Sequence, residues 1–194
     1  MKKSIIILLI LAIAIVVSAC GGETQENSNR EESFGDLSFL IPESWEKTPL
    51  EKTEEYGTVF EGNCYENGET PESVTVSRYK FDKSQYSKAV DLVDTAVENL
   101  DGASDPNDSF KKRTYSLVSK GHRTINGEKY KSAIFSLDGI LKDGGEMNME
   151  VEVVYIPHEY QLYMPTFEYV KGDIDKDQAE ADKKVFYDSI TFDF

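Results

Sequence analysis

The first nineteen residues constrain this chain most, because they form a segment that the folded domain does not include. Lys2 and Lys3 make a short positive start, and Ile5–Val17 is an uninterrupted apolar run of thirteen residues. Small residues then lead to Cys20. This order is typical of a secretory signal peptide with a processing site. A transmembrane anchor needs about 20 apolar residues, more than this run supplies.

The small residues Val17-Ser18-Ala19 before Cys20 resemble the lipobox of bacterial lipoproteins. In that family a diacylglyceryl thioether forms on the cysteine, and cleavage just before it leaves the lipidated cysteine as the first residue. The resemblance implies that residues 1–19 are a removed signal peptide. It also implies that Cys20 carries the lipid, incorporated as palmitate, and that the cell membrane holds the protein on its extracytoplasmic side. A plain secretory signal would not need Cys20. The Lys-, Glu- and Ile-rich usage favours a Gram-positive bacterium.

The mature chain has the size of one domain. Removal of 19 of the 194 residues leaves 175, with 19 basic against 36 acidic residues and a net charge of about −17. A chain this acidic is not suited to nucleic acid, whose phosphates need Lys and Arg patches. We also expect repulsion from an anionic membrane surface. Another envelope protein or a small ligand is the expected partner, and the charge also serves solubility. The sequence does not indicate an oligomeric state.

Residues 20–35 are predicted to form a flexible tether, because they are mostly Glu, Asn, Ser and Gly and cannot bury enough apolar surface to fold. Residues 36–194 are predicted to form one globular α+β domain. With Cys20 lipidated, Cys64 has no disulfide partner, so the domain depends on its core.

Alternating apolar and polar residues predict seven strands in the domain. They are Leu37–Ile41, Tyr56–Glu61, Ser73–Lys80, Tyr115–Ile125, Tyr130–Leu137, Met147–Tyr155 and Tyr160–Val170. The Met147–Tyr155 pattern is the longest and is expected at the centre of the sheet. Asn126-Gly127 is a hairpin signal, and residues 143–145 and 157–159 are further turns. Residues 62–72 and 101–108 are predicted loops, and Pro165 predicts a bulge or an edge strand.

Two amphipathic helices complete the pattern. The first is predicted over Tyr86–Leu100, with a start near Asp82 and Gly102 as its C-terminal cap. The second is predicted over Asp175–Ser189, with Asp173 or Asp175 as its N-cap. Its apolar side is assigned to Ala181, Val185 and Phe186. The predicted fold is therefore a mostly antiparallel sheet of about six to seven strands with helices packed on it, an α/β/α sandwich.

Four segments together form a recognisable pattern: the Leu37–Trp45 stretch, the helix after the third strand, the Ile125-Asn126-Gly127 hairpin followed by Tyr130-Lys131, and the last helix with Ile190-Thr191-Phe192. This pattern resembles that of PsbP-like lipoproteins. That fold takes its name from an extrinsic subunit of photosystem II. It recurs in a Ran-binding nuclear import factor and in small bacterial lipoproteins of unknown role. The resemblance implies an accessory or binding module and assigns no ligand residues.

The sequence gives little support for catalysis. The domain has two histidines, His122 and His158, and no H-E-x-x-H, G-x-S-x-G, S-x-x-K or C-x-x-C motif. A hydrolytic Cys64–His pair would require the fold to bring the two residues together. We therefore predict no catalytic residues. A transporter's solute receptor is a weaker alternative, because such receptors usually need two lobes.

Two acidic segments raise the alternative of a metal site. Asp173, Asp175 and Asp177 begin like a calcium loop, but Gln178 and Lys184 stand where that loop needs Gly and Glu. An acidic helix start explains them better. The second segment contains Asp101, Asp105, Asn107 and Asp108, which fit a solvated turn. No metal site and no cofactor are predicted, apart from the covalent diacylglycerol on Cys20.

Aromatic residues near one hairpin suggest an interaction surface, since Tyr is common where one side is apolar and the other is wet. They are Tyr155, Tyr160, Tyr163, Phe167 and Tyr169. Core packing through strand alternation is the competing explanation. The sequence thus favours a lipid-anchored, non-catalytic binding or accessory module of the cell envelope, with a metal- or small-ligand-binding lipoprotein as the alternative.

Overall fold

The computed structural model describes residues 28–55, 57–68, 71–82, 93–105 and 110–192. Within these ranges there are twelve strands and two helices. The first six strands are β1 (Asn29–Phe34), β2 (Leu37–Pro42), β3 (Glu46–Pro49), β4 (Thr53–Glu55), β5 (Thr58–Glu66) and β6 (Glu72–Phe81). The elements that follow are α1 (Val93–Leu100), β7 (Ser104–Asp105), β8 (Phe110–Ile125), β9 (Glu128–Leu141), β10 (Glu146–His158), β11 (Gln161–Val170), α2 (Lys176–Ser189) and β12 (Thr191–Phe192). Neither helix has the length and hydropathy that a membrane crossing requires.

The main sheet joins nine of the described strands, and its neighbouring strands run antiparallel. Eight lie in the order β3-β5-β6-β11-β10-β9-β8-β7, and β4 pairs with the other end of β5. Strand β10 lies in the middle, which confirms the predicted centre of the sheet. The longest strand is instead β8, with 16 residues against 13 in β10.

The two faces of the main sheet are covered by different elements. Helix α1 packs on one face through Val93, Ala96, Val97 and Leu100, in a core that includes Phe135. Helix α2 and strand β2 cover the other face, in a second core. This layering confirms the predicted α+β class, a mostly antiparallel sheet with helices packed on it. The predicted start of the first helix, Tyr86 to Leu92, lies outside the described residues.

A smaller sheet of β1, β2 and β12 lies beside α2 and corrects the predicted tether. Asn29–Phe34 pairs antiparallel with β2 along its whole length. The Arg30 guanidinium also donates to the carbonyls of Pro42, Glu43 and Trp45. A polar segment can form a strand in this way, because an edge strand is stabilised by ladder hydrogen bonds even when it buries little apolar surface. The ordered domain therefore begins before residue 36.

The buried side of α2 includes the predicted Phe186 but differs at the other two predicted residues. Ala181 and Val185 are exposed, whereas Ala179, Lys183, Phe186 and Tyr187 are buried. These four follow the i, i+4, i+7, i+8 spacing of one helix face. The sequence pattern missed the rest of this face because the face contains a lysine. The Lys183 ammonium is stabilised there by Glu152 at 3.1 Å and Glu180 at 2.7 Å.

Two local predictions on the main sheet are wrong. Part of the loop predicted over residues 62–72 belongs to β5, where Cys64 and Tyr65 are buried. Pro165 lies in β11, an interior strand, and shows no register shift. The pairs that would join Pro165 and Met164 to β10 are missing from an otherwise continuous ladder. Because proline has no backbone N–H to donate, the hydrogen-bond ladder between β10 and β11 has a local gap at this position.

Turn and cap signals are the most accurate local predictions. Asn126 and Gly127 both have positive φ, at 53° and 82°, in the two-residue turn between β8 and β9. Gly102 has φ of 74° just after α1, as expected for a C-terminal cap. Asp175 caps α2, and its carboxylate accepts from the backbone N–H groups of Asp177 and Gln178.

Candidate ligand groove

The predicted tyrosine surface does not form as a continuous exposed patch. Tyr155 is buried in the core on the α1 side, whereas Tyr163 and Tyr169 are buried in the core on the α2 side. The Tyr163 hydroxyl donates to Asp36 at 2.8 Å. Tyr160 is half-buried in the turn between β10 and β11. Because both sheet faces are covered, alternation places these rings in two cores rather than on a surface.

The fold does not bring Cys64 and a histidine together. Cys64 is buried and in register with Thr75 on β6, whereas His158 pairs with Gln161 at the far end of β10. His122 is exposed on β8. Burial, with a smaller contribution from nearby Glu168, raises the pKa of the Cys64 thiol to about 12. At neutral pH this thiol is therefore protonated and is not an activated nucleophile.

The acidic segments act as local backbone partners. Asp175 is the N-cap of α2, and the Asp101 carboxylate accepts from the backbone N–H of Leu117 at 2.8 Å. Asn107 and Asp108 lie outside the described residues, as does Cys20 with the whole predicted signal peptide. In the part of the chain that the structure describes, no three His, Cys, Asp or Glu side chains form a group that could hold a metal ion.

A groove of about 210 Å³ between β2 and α2 is a candidate site. Its apolar lining includes Leu40, Ile41 and Trp45 on one side, and Val185 and Phe186 on the other. Val74 of β6 and Phe167 of β11 contribute from the main sheet. Leu40 is 37% exposed and Val185 is 50% exposed, whereas Trp45 is 6% exposed. The groove thus combines a buried indole with two exposed aliphatic side chains.

The two walls of the groove are fixed to each other. The Leu40 backbone N–H donates to the Ser189 hydroxyl at 2.9 Å, near the end of α2. The Phe39 and Phe186 rings meet edge to face with centroids 5.9 Å apart. The backbone N–H of Trp45 donates to the Pro42 carbonyl at 3.0 Å and closes the turn that carries the indole. These contacts make the groove a preformed feature, as most small-ligand sites are.

Two carboxyl groups line the same groove. Glu72, at the start of β6, is 8% exposed, and Asp182 comes from α2. Burial, together with repulsion from Asp182, raises the pKa of the Glu72 carboxyl to about 8. Asp182 accepts from the Gln178 side chain at 2.8 Å. Among the described lining residues there is no Lys, Arg or His.

A second cleft on the sheet is larger but more open and has mixed charge. Its volume is about 530 Å³, and its lining includes Lys112, Asp138 and Lys171. The polar side chains bond to one another, since Asn148 donates to Asp138 and Lys171 donates to Ser136 at 3.2 Å. Because it offers charges of both signs, the second cleft favours no particular ligand, and the groove between β2 and α2 is the stronger candidate.

Sequence reasoning missed the groove residues because they are far apart in the chain. Asn29, Trp45, Glu72 and Asp182 all line the groove, yet no two of them lie within one motif. Two signals were present: Leu40 is apolar at a position where the β2 alternation expects a polar residue, and Val185 is an exposed apolar residue of α2. Exposed apolar residues that lie together are typical of binding surfaces.

Comparisons with known proteins give a likeness in fold. No protein-family model and no curated protein matches this sequence. Among solved structures, the solution structure of cyanobacterial PsbP from Synechocystis sp. PCC 6803 is similar, with 15% sequence identity and a TM-score of 0.47. The alignment covers 91% of this chain and 98% of that chain. The likeness is in the arrangement of strands and helices, and no ligand or partner follows from it.

Proposed function

We propose that this protein is a non-catalytic binding module of the cell envelope. A diacylglycerol on Cys20 holds it at the extracytoplasmic face of the membrane, and a small ligand binds in the groove between β2 and α2. The observation that carries the proposal is the groove itself, a preformed concavity with Trp45 buried in its lining and Leu40 and Val185 exposed beside it. Exposed aliphatic residues next to a buried aromatic ring are typical of ligand sites.

The state of the candidate nucleophile supports binding rather than catalysis. The Cys64 thiol is buried with a pKa of about 12, and it is separated from both histidines. A catalytic thiol needs a lowered pKa and an adjacent base. The groove itself offers aliphatic and aromatic side chains, two carboxyls and one carboxamide. This set can hold and orient a ligand.

Tryptophan fluorescence tests the proposed function, because Trp45 is the only tryptophan in the chain. The full chain in phosphatidylcholine vesicles is titrated with n-butanol, a neutral aliphatic probe. We expect a saturable change in Trp45 fluorescence. Val185→Lys should weaken binding at least fivefold, since it places a long charged side chain beside the groove.

Val118→Lys is the matched control, because Val118 is 61% exposed on β8, outside the groove. This variant should bind n-butanol as the unaltered protein does. A fluorescence change that rises without saturation, or that is the same in all three proteins, would show that the groove does not bind the probe and would contradict the proposed function.

A further inference from the structure

We propose that the groove selects a small ligand that carries an alkylammonium group, with the aliphatic part against Leu40 and Val185 and the ammonium at the carboxyls of Glu72 and Asp182. This inference rests on the proposed function and names the chemical class of the ligand. It starts from the composition of the lining: the two charged residues among its described members, Glu72 of β6 and Asp182 of α2, are both acidic.

The size of the groove argues for one small ligand. Sites for drug-sized compounds have volumes of about 300–1,000 Å³. At about 210 Å³ the groove is smaller and suits a short aliphatic chain with a single polar head. A short alkylammonium compound has this size, and it pairs an apolar body with a positive charge.

Burial of the Glu72 carboxyl strengthens the preference of the groove for a positively charged ligand. Glu72 is 8% exposed, so an ion pair at this position is only weakly screened by solvent. Trp45 lines the same groove, and aromatic rings attract ammonium groups. Among the described lining residues, no Lys, Arg or His accompanies the two carboxyls.

The protonation of Glu72 makes binding depend on pH. With a pKa of about 8, the carboxyl is largely neutral at pH 6.5 and largely ionised at pH 9. An alkylammonium group stays charged over this range, since amines of this kind have a pKa of about 10.4. Glu72 faces Asp182 of α2 and pairs in register with Tyr169 of β11. Burial raises the pKa of the Tyr169 hydroxyl to about 12. Asn29 of β1 is uncharged. Tyr169 stays protonated over this range. The Glu72 carboxyl titrates within it and gives the expected pH dependence.

Three probes with the same chain length test the inference through Trp45 fluorescence of the full chain in phosphatidylcholine vesicles. They are n-butylammonium, n-butanol and butyrate. At pH 9 we expect n-butylammonium to bind at least tenfold more tightly than n-butanol, and butyrate to bind most weakly. At pH 6.5 the preference for n-butylammonium should shrink severalfold, because Glu72 is then protonated.

Matched variants assign the preference to the groove. Glu72→Gln should remove the pH dependence, and Asp182→Asn should lower the preference at both pH values. Asp188→Asn is the control, because Asp188 is an exposed α2 carboxylate that pairs with Lys184. A preference unchanged in Glu72→Gln and Asp182→Asn would overturn the inference. So would equal binding of all three probes, although the proposed function would then stand. Failure of all three to bind would contradict both.

Discussion

Among individual residues, Glu168 destabilises the fold it belongs to. It is fully buried in β11, in register with Ser73 of β6, and neither carboxyl oxygen accepts a hydrogen bond from the described residues. Burial raises the pKa of this carboxyl to about 8, attraction to Arg113 opposes the shift, and repulsion from Glu66 adds to it. The protein therefore keeps Glu168 protonated at neutral pH, because a buried charge without hydrogen bonds is costly.

Glu168→Gln should remove a pH-dependent loss of stability. In the folded state the pKa of Glu168, about 8, lies above the ordinary value of 4.5. The contribution of this residue to stability is therefore complete below pH 4.5 and is lost as the pH rises through about 8. Urea unfolding at pH 5 and pH 8.5 measures this. At pH 8.5 we expect the variant to be more stable than the unaltered protein by about 1–3 kcal/mol.

Glu98→Gln is the control for this experiment, since Glu98 is exposed on α1. It should leave the difference in unfolding free energy between the two pH values unchanged. Glu72 contributes a change of the same sign, because its pKa is also raised to about 8. Glu168→Gln should therefore reduce the pH dependence without abolishing it. An unchanged dependence would mean that Glu168 is not protonated in the folded protein.

Among the elements, α2 connects the core to the groove. One of its sides buries Phe186 and Tyr187, and the Tyr187 hydroxyl donates to the Glu152 carbonyl at 2.7 Å. Lys183 pairs with the Glu152 carboxylate, which also accepts two hydrogen bonds from Arg123 at 2.8 and 2.9 Å. The neighbouring side carries Asp182 and Val185 into the groove lining. The position of the groove wall thus depends on ion pairs beneath the helix.

Asp175→Ala should weaken α2 by removing its N-cap. The Asp175 carboxylate accepts from two backbone N–H groups that otherwise lack a helical partner. We expect the variant to lose about 1 kcal/mol of unfolding free energy, measured by urea denaturation monitored through circular dichroism. Asp173→Ala removes the same charge two residues earlier and should cost clearly less. Equal losses would mean that the charge matters and the cap hydrogen bonds do not.

At the scale of the whole molecule, the groove lies close to the predicted lipid anchor. Asn29 lines the groove and lies nine positions after Cys20. Even a fully extended chain of this length spans no more than about 32 Å. If Cys20 is lipidated, the groove therefore stays within this distance of the anchored cysteine, so a ligand would be bound near the bilayer.

Cys20→Ala should abolish lipid attachment. When the full chain is expressed in a Gram-positive host with radiolabelled palmitate, the unaltered protein should carry label and sediment with the membranes. The variant should carry no label and should lose its lipid anchoring. Cys64→Ala is the control. It should remain labelled, because Cys64 is buried in the domain and is not the predicted site of lipid attachment. Label retained in Cys20→Ala would contradict the lipobox assignment.

The sequence by itself determined the features that depend on neighbouring residues. Alternation in Met147–Tyr155 identified a central strand, Asn126-Gly127 identified a hairpin, and the i, i+3, i+4 spacing identified the buried side of α1. These patterns are local because strand and helix geometry fix which residues share a face. They are enough to predict the α+β class.

Only the tertiary structure decided which faces are covered and which distant residues meet. The polar segment Asn29–Phe34 becomes a strand because β2 offers it a ladder, and Lys183 is buried because Glu152 lies beneath it. Trp45, Glu72 and Asp182 form one groove although they are widely separated along the chain. Packing between elements creates such contacts, and local periodicity carries no information about them because it records only neighbours along the chain.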